Sequence, residues 1–425
     1  MENKIPSWIK LDNAAIIYPS TLSRKFAAMF RMSVTFRKKI DIEILNIALK
    51  NIMNRFPSFS YELKYGFFWC YFKHIDNEPI IQEDYRNPLL RIDFKKNNYY
   101  MFRVRTFDKT VSCEYFHALT DGTGGIIFLM TLVGEYLRLS NKIHIKYNDL
   151  VLNPNDNPNS DEYSDSFMKY ARKIGGLSHE EAAYHQKGTK EDNNVLNIIT
   201  GTIPIDKLKL KAKEYNATIT EFLVAVMIEA LQEIQEQERK RKKKPIKISV
   251  PVNLRKIYST KTLRNFSSYV NVKVDTKYGH YSFDEIINEV KCNMKYLTTE
   301  KRINAKITGN VLLANNYFVR LLPMFIKKYV LSISEALMGD RYCSSTFSNI
   351  GLLNIPKEME KYIDKASFIL GRSRGKPCSC GAISIKNNLY ISFSRTIKEA
   401  DYERLFFTKL VEMNIPVEIE SNGGR

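Results

Sequence analysis

The chain has 425 residues, with 65 Lys+Arg against 46 Asp+Glu, a formal charge of +19 and an isoelectric point near 9.4. Its 44% hydrophobic and 12% aromatic content supports a sizeable core and excludes a disordered chain. No run approaches the roughly 18 consecutive apolar residues of a spanning helix, and about 150 residues per domain predicts two or three domains.

Residues 29–37 (MFRMSVTFR) alternate with the period of a strand, and Asp41 is placed to cap a helix over DIEILNIALKNIMNRF that Pro57 stops. Residues 61–73 and 99–117 read as strands, the second as a hairpin turning at Asp108-Lys109, and a helix is expected from about 123 to 140. Residues 153–165 (NPNDNPNSDEYSD) have turn-forming, acidic composition with almost nothing to bury, and read as a linker or a long exposed crossover. Helices follow at 206–215, 219–242, 282–299, 316–338 and 398–413, with strands at 246–252, 266–275, 342–350, 366–371, 380–386 and 388–396. The helix over 316–338 reads as a core helix kinked at Pro323, although it is apolar enough to lie on a membrane or line an acyl channel. The pattern is two α+β halves: 1–155, a linker or crossover over 156–200, and 201–425.

The N-terminal twenty residues lack a basic region followed by an apolar one, so no signal peptide is read there. Six irregularly spaced cysteines read as reduced thiols, which fits a cytoplasmic protein. A basic surface attracts nucleic acid, anionic membrane, acidic carrier proteins or phosphorylated cofactors, and a Lys- and Asn-rich coding bias would produce the same excess. The run 239–247 (RKRKKKPIK) suits either a docking patch or the solvated C-terminus of a helix.

The stretch 111–129, VSCEYFHALTDGTGGIIFL, carries the most chemistry. A strand delivers His117, then Asp121-Gly122 opens an apolar helix whose N-terminus favours the anion. A neutral imidazole at a strand end suits a general base near pH 7, and Gly122 permits a tight turn or the close approach of a ligand. A buried histidine beside an ordinary Asp-Gly turn and N-cap fits the same residues.

The spacing His117-x-x-x-Asp121-Gly122 resembles the HxxxDG signature of the superfamily of chloramphenicol acetyltransferases, condensation domains and BAHD-type acyltransferases. Residues 249–274 (SVPVNLRKIYSTKTLRNFSSYVNVKV) and 348–356 (SNIGLLNIP) are similar to elements of its bacterial alcohol-acetyltransferase-like branch, as are WIKLDNAAIIYP and the run at 55–69. A late Asp-Phe-Gly-Trp-Gly motif of plant members is absent, and Phe116 stands where condensation domains carry a second histidine. The resemblance implies a two-lobed chloramphenicol-acetyltransferase-like α+β fold, each lobe a mixed sheet packed with helices, with the active-site channel between lobes. It implies His117 as the general base, Asp121 as a structural partner of Arg255 in a bidentate clamp, and Gly122 as room for a pantetheine arm. Ser348, Asn349, Ser344, Ser345 or Thr346 are candidates to stabilise the oxyanion, each equally readable as a strand-edge or turn residue.

Other matches carry less. Gly371–Gly375 fits GxSxG, but Pro377 and Cys378 preclude the helix a nucleophile elbow must enter. Cys378 with Cys380, and His179 with His185, lack the company of a metal site, and Lys376 is not in a P-loop. The expected function is an acyltransferase moving an acyl, chiefly acetyl, group from a coenzyme A thioester to an alcohol, with acyl-CoA as co-substrate and no permanent cofactor or metal. A condensing or amide-forming enzyme fed by an acidic acyl carrier protein, with an alcohol or amine acceptor, is the nearer alternative. A basic binding protein is the more distant one, since no nucleic-acid module is recognisable and no nucleic-acid partner is expected.

Overall fold

The computed structural model describes residues 5–22, 26–174, 176, 180–192, 195–238, 243–327, 329, 340–373 and 375–423. Three sheets organise them. A five-stranded sheet runs β12(Ile363–Leu370), β2(Met29–Phe36), β7(Thr110–Phe116), β6(Phe102–Phe107) and β5(Ile81–Glu83). A seven-stranded sheet runs β10(Ser267–Val274), β9(Ile246–Asn253), β11(Ser345–Leu352), β13(Cys378–Ile385), β14(Asn388–Arg395), β8(Asn197–Pro204) and β15(Glu418–Ser421). A small sheet joins β1(Trp8–Lys10), β4(Cys70–His74) and β3(Tyr61–Tyr65).

The two large sheets share the chain, because β12 leaves the C-terminal half and pairs antiparallel with β2, Phe368 opposite Met32. In the N-terminal sheet β7 is central, with β2 on one side and β6 on the other. Its residues Val111, Cys113 and Tyr115 face a core that includes Phe59, Phe102 and Phe128. Phe59 stacks on Phe128 with centroids 4.6 Å apart, and Phe102 meets the same ring edge-on at 4.9 Å.

Helices cover the sheets as the apolar spacings require. After the single turn α1(Tyr18–Thr21), α2(Ile42–Met53) is capped by Asp41, which accepts from the N–H groups of Glu43 and Ile44. It packs against α3(Gly122–Asn141), which buries nearly every residue of its first four turns. A short α4(Ser166–Tyr170) precedes β8; α5(Ile205–Glu214), α6(Ile219–Gln237) and α7(Phe283–Leu297) then flank the large sheet. Capping boxes open α6 at Thr218 with Glu221, and α7 at Ser282 with Glu285.

Several expectations are corrected. The strand expected over 61–73 is the hairpin β3–β4, since Gly66 and the aromatic tip make the turn and Gly66 N–H donates to Trp69 O at 2.9 Å. Residues 300–315 form α8(Glu300–Asn315), missed because its apolar stripe is only Ile303, Ile307 and Val311 and Gly309 interrupts it. The segment 153–165 does bury something: Glu162 is buried, and Arg55 Nη2 donates to its Oε1 at 2.8 Å. The helix expected over 316–338 breaks at Pro323 as expected, between a short α9(Tyr317–Leu321) and helical residues 324–327, but its described part is not core, with Tyr317, Leu321, Phe325 and Tyr329 exposed. Residues 239–242 of the basic run lie outside the described residues, while Lys243 pairs with Glu236 at 3.1 Å and Lys247 is buried in β9.

Gly124, in the first turn of α3, is where helix and loop come closest. A Cβ there would sit 2.2 Å from the Leu263 carbonyl oxygen and 2.2 Å from Thr120 Oγ1, which donates to that carbonyl at 2.6 Å. Backbone cannot yield as a side-chain tip does, so Gly124→Ala is expected to destabilise the fold by about 3 kcal/mol, read as a lowered denaturant midpoint.

Candidate functional site

His117 follows the last residue of β7. Its N–H donates to Ala28 O at 2.8 Å, extending the β2–β7 ladder by one residue and fixing the backbone beneath the ring. The imidazole stacks on Tyr18 with centroids 4.7 Å apart and meets Phe30 edge-on at 5.1 Å. Burial holds its pKa below the ordinary imidazole value, because the charged form loses water there.

Asn265 sets the tautomer. Its Nδ2 faces two acceptors, Asp12 Oδ2 at 3.3 Å and Ala118 O at 3.4 Å, which orients the amide oxygen toward His117. That Oδ1 lies 3.2 Å from Nδ1 and can only accept, so Nδ1 carries the proton. Nε2 then keeps the lone pair, and it has no hydrogen-bond partner among the described residues. Asp12 is itself fully buried; burial raises its pKa to about 6, opposed by Arg264, whose Nε lies 3.5 Å away.

Asp121 has no lone pair to spare for chemistry. Its Oδ1 accepts from the N–H groups of Thr123 at 3.1 Å and Gly124 at 3.2 Å, capping α3. Its Oδ2 accepts from Arg255 Nη1 at 2.8 Å and Phe266 N at 2.8 Å. The expected bidentate clamp is therefore corrected to a single Arg–carboxylate contact, because the other oxygen serves the helix. The remaining donors of Arg255 reach the carbonyls of Thr262 at 2.8 Å and Arg264 at 2.6 Å. Gly122 lines the cavity without a left-handed backbone; a Cβ there would lie 2.8 Å from Ile350 Cδ1, so its smallness keeps space rather than making a turn.

His117, Asp121 and Gly122 border a cavity of about 1880 Å³ between the two large sheets. One wall is apolar and includes Ile17, Tyr18, Phe26, Phe30 and Trp69; the opposite wall, from β9, β10 and β11, presents Ser249, Asn253, Asn271 and Ser348. Of the oxyanion candidates, Ser344 and Ser345 are turned into the sheet, with Ser344 Oγ accepting from Lys247 N and Ser345 Oγ donating to Cys378 O. Thr346 Oγ1 accepts from Lys376 Nζ at 2.8 Å. Asn349 is engaged on both sides, by Thr220 Oγ1 at 3.3 Å and by the N–H of Gly351 at 2.9 Å, which holds a β-bulge where Gly351 takes φ +89°. Ser348 alone of the five lines the cavity with a hydroxyl that makes no hydrogen bond among the described residues.

Sequence reasoning missed Asn265, Asp12 and Tyr18 as individuals, although each lies in a stretch it singled out. It also set Lys376 aside, and the structure places it in the cavity wall, 3.0 Å from Asp340 Oδ1. Ser373 of the GxSxG match donates to Asp340 from a loop. Cys378 and Cys380 are buried in β13, where burial pushes both thiols well up. His185 Nε2 lies 3.0 Å from the carbonyls of Asp340 and Cys343, and His179 lies outside the described residues.

No protein-family description and no curated protein matches the chain by sequence. Solved structures do match over nearly its whole length. A polyketide synthase associated protein 5 from Mycobacterium tuberculosis superposes with a TM-score of 0.60 at 13% identity, covering 94% of this chain and 96% of its own. The TRI101 of F. graminearum, solved with coenzyme A and T-2 mycotoxin, gives 0.63 at 10% identity over 98% and 100%. The first condensation domain of the calcium-dependent antibiotic synthetase gives 0.59 at 11% over 97% and 99%. The chain has the two-lobed fold shared by BAHD-like acetyltransferases and condensation domains, of the chloramphenicol-acetyltransferase type.

Proposed function

We propose that the protein is an acyltransferase that moves an acyl group, acetyl in the first instance, from a coenzyme A thioester to an alcohol, with His117 as general base. The observation that carries this reading is a half-buried histidine of depressed pKa whose Nδ1 lies against Asn265 while Nε2 stays open on a cavity between two lobes. In the reaction Nε2 takes the acceptor hydroxyl proton as its oxygen attacks the thioester carbonyl carbon. The tetrahedral intermediate collapses with cleavage of the C–S bond, and the imidazolium returns its proton to the leaving thiolate. The products are an ester and a thiol, and no residue is acylated. Ser348 Oγ donates to the oxyanion, and Asp121 with Arg255 holds the loop that carries Asn265.

Thiol release from acetyl-CoA and longer acyl-CoAs, against alcohols and amines, tests the reading. Acceptor-dependent release is expected, and His117→Ala should lower kcat by about 10²–10⁴-fold. Equal release in both proteins would remove His117 as the base, and release from carrier-bound thioesters alone would identify the condensing-type donor.

Ser348→Ala should lower kcat by about 10²-fold with little change in KM for either substrate, since an oxyanion contact exists only along the reaction path. A larger effect on KM would make Ser348 a binding residue instead.

The pH profile tests the tautomer assignment. Only the neutral imidazole is a base and its pKa is depressed, so the acid limb of kcat/KM should fall below pH 6.5, the ordinary imidazole value. Asn265→Asp puts a carboxylate on Nδ1–H, which favours the imidazolium and should move that limb to higher pH. An unmoved limb in a folded variant would separate Asn265 from the base.

A further inference from the structure

The mouth of the cavity beside its apolar wall is rimmed by exposed aromatic side chains from three separate segments. Trp8 of β1 is 52% exposed, and Phe67 and Trp69 at the β3–β4 tip are 67% and 61% exposed. Phe325 and Tyr329, beyond Pro323, are each 70% exposed. Hydrogen bonds tie the second and third segments together: Met324 N donates to Phe67 O at 2.7 Å, and Lys327 Nζ to Phe68 O at 2.6 Å. Single exposed hydrophobics are ordinary, whereas a bonded cluster of large aromatics at a cavity mouth marks a contact surface.

Charge indicates the occupant. Strand β1, the β3–β4 hairpin and residues 316–327 carry Lys10, Lys64, Lys73, Arg320 and Lys327 against a single carboxylate, Glu62, which pairs with Lys64 at 2.9 Å. Aromatics flanked by an excess of cations match the interfacial layer of a bilayer with anionic headgroups. A second copy would bring another chain of net charge +19 against the same cations, which disfavours self-association there. Among the described residues no helix is long and apolar enough to cross a membrane, so attachment would be peripheral.

We propose that this rim docks on an anionic membrane surface and so opens the apolar wall of the cavity toward the lipid. An amphiphilic alcohol could then pass from bilayer to His117 without crossing water. The choice of acceptor rests on the acyltransferase reading, while the docking does not.

The chain's only two tryptophans, Trp8 and Trp69, both lie in the rim, so intrinsic fluorescence reports on it directly. Titration with vesicles of phosphatidylcholine mixed with phosphatidylglycerol should shift emission to the blue and sediment the protein, weakly with phosphatidylcholine alone and less at high salt. Neither Phe67 nor Phe325 lines the cavity. Phe67→Ser with Phe325→Ser should weaken vesicle binding by about tenfold or more, at unchanged thermal stability and unchanged turnover of a water-soluble acceptor. No shift and no sedimentation with the anionic vesicles would overturn the proposal, as would equal binding by the double variant. A blue shift on concentrating the protein without vesicles would assign the rim to a second copy. Binding is read without turnover, so a failed acyltransferase assay leaves this result standing.

Discussion

One carboxylate joins the parts of this molecule that matter for its chemistry. Asp121 receives four N–H groups, two from the first turn of α3, one from Arg255 and one from the backbone of Phe266. The first two belong to the N-terminal sheet's covering helix; the others belong to the loop between β9 and β10 of the C-terminal sheet. A buried anion is tolerable only when its lone pairs are filled, so the two halves are held where they can fill them. Asn265 sits between Arg264, whose carbonyl accepts from Arg255 Nη2, and Phe266, whose N–H donates to Asp121 Oδ2. The proton position on His117 therefore depends on Asp121 at one remove, although Asp121 makes no hydrogen bond to the imidazole.

Buried charge alone does not mark the site. On the opposite face of the N-terminal sheet, Glu114 accepts from Arg31 Nη1 at 3.2 Å and from the backbone of Leu89 at 2.8 Å, beside Arg103 and Arg105. That cluster is more heavily charged than the His117 surroundings and borders no part of the large cavity except through the sheet. Alternation along β7 separates the two: Glu114 points one way, while Tyr115 and, beyond the strand end, His117 lie on the other. The difference is unfilled valence facing space. Glu114 is filled by Arg31, Arg103 and the Leu89 N–H, and the one unpartnered donor beside it, Arg105 Nε, is buried in protein, whereas Nε2 of His117 and the hydroxyl of Ser348 face the cavity.

The periodic segments were legible in the sequence because their signals are local. Asp41 and the apolar spacing after it define α2, and the alternation through 110–116 defines β7. The HxxxDG spacing is local too, since a strand end and a helix N-cap separated by one turn bring His117 and Asp121 together. What stayed hidden is long-range. Nothing in residues 363–370 states that their partner is β2 rather than a neighbour in the C-terminal half, because a strand's pattern specifies its faces and not its edge. The five oxyanion candidates are equivalent as residue types on or beside one strand; alternation along β11 separates Ser345 from Thr346 and Ser348, and long-range partners then occupy Ser344, Ser345 and Thr346, which leaves Ser348 open on the cavity. Asn265 is an unremarkable residue of a loop until its amide is seen between Asp12 and His117.

The apolar residues packed against the imidazole suit the general-base role proposed for His117. A histidine able to deprotonate an alcohol can deprotonate water, and water attacking the same thioester would waste it by hydrolysis. Tyr18 stacks on the imidazole and Phe30 meets it edge-on, and this packing displaces water from the ring and lowers its pKa, which favours the neutral form. On that proposal a donor is needed where negative charge develops, and Ser348 of β11 offers one to the cavity. The exclusion of water is local to the ring, because Lys10, Asn13, Ser20 and Lys327 border the same cavity.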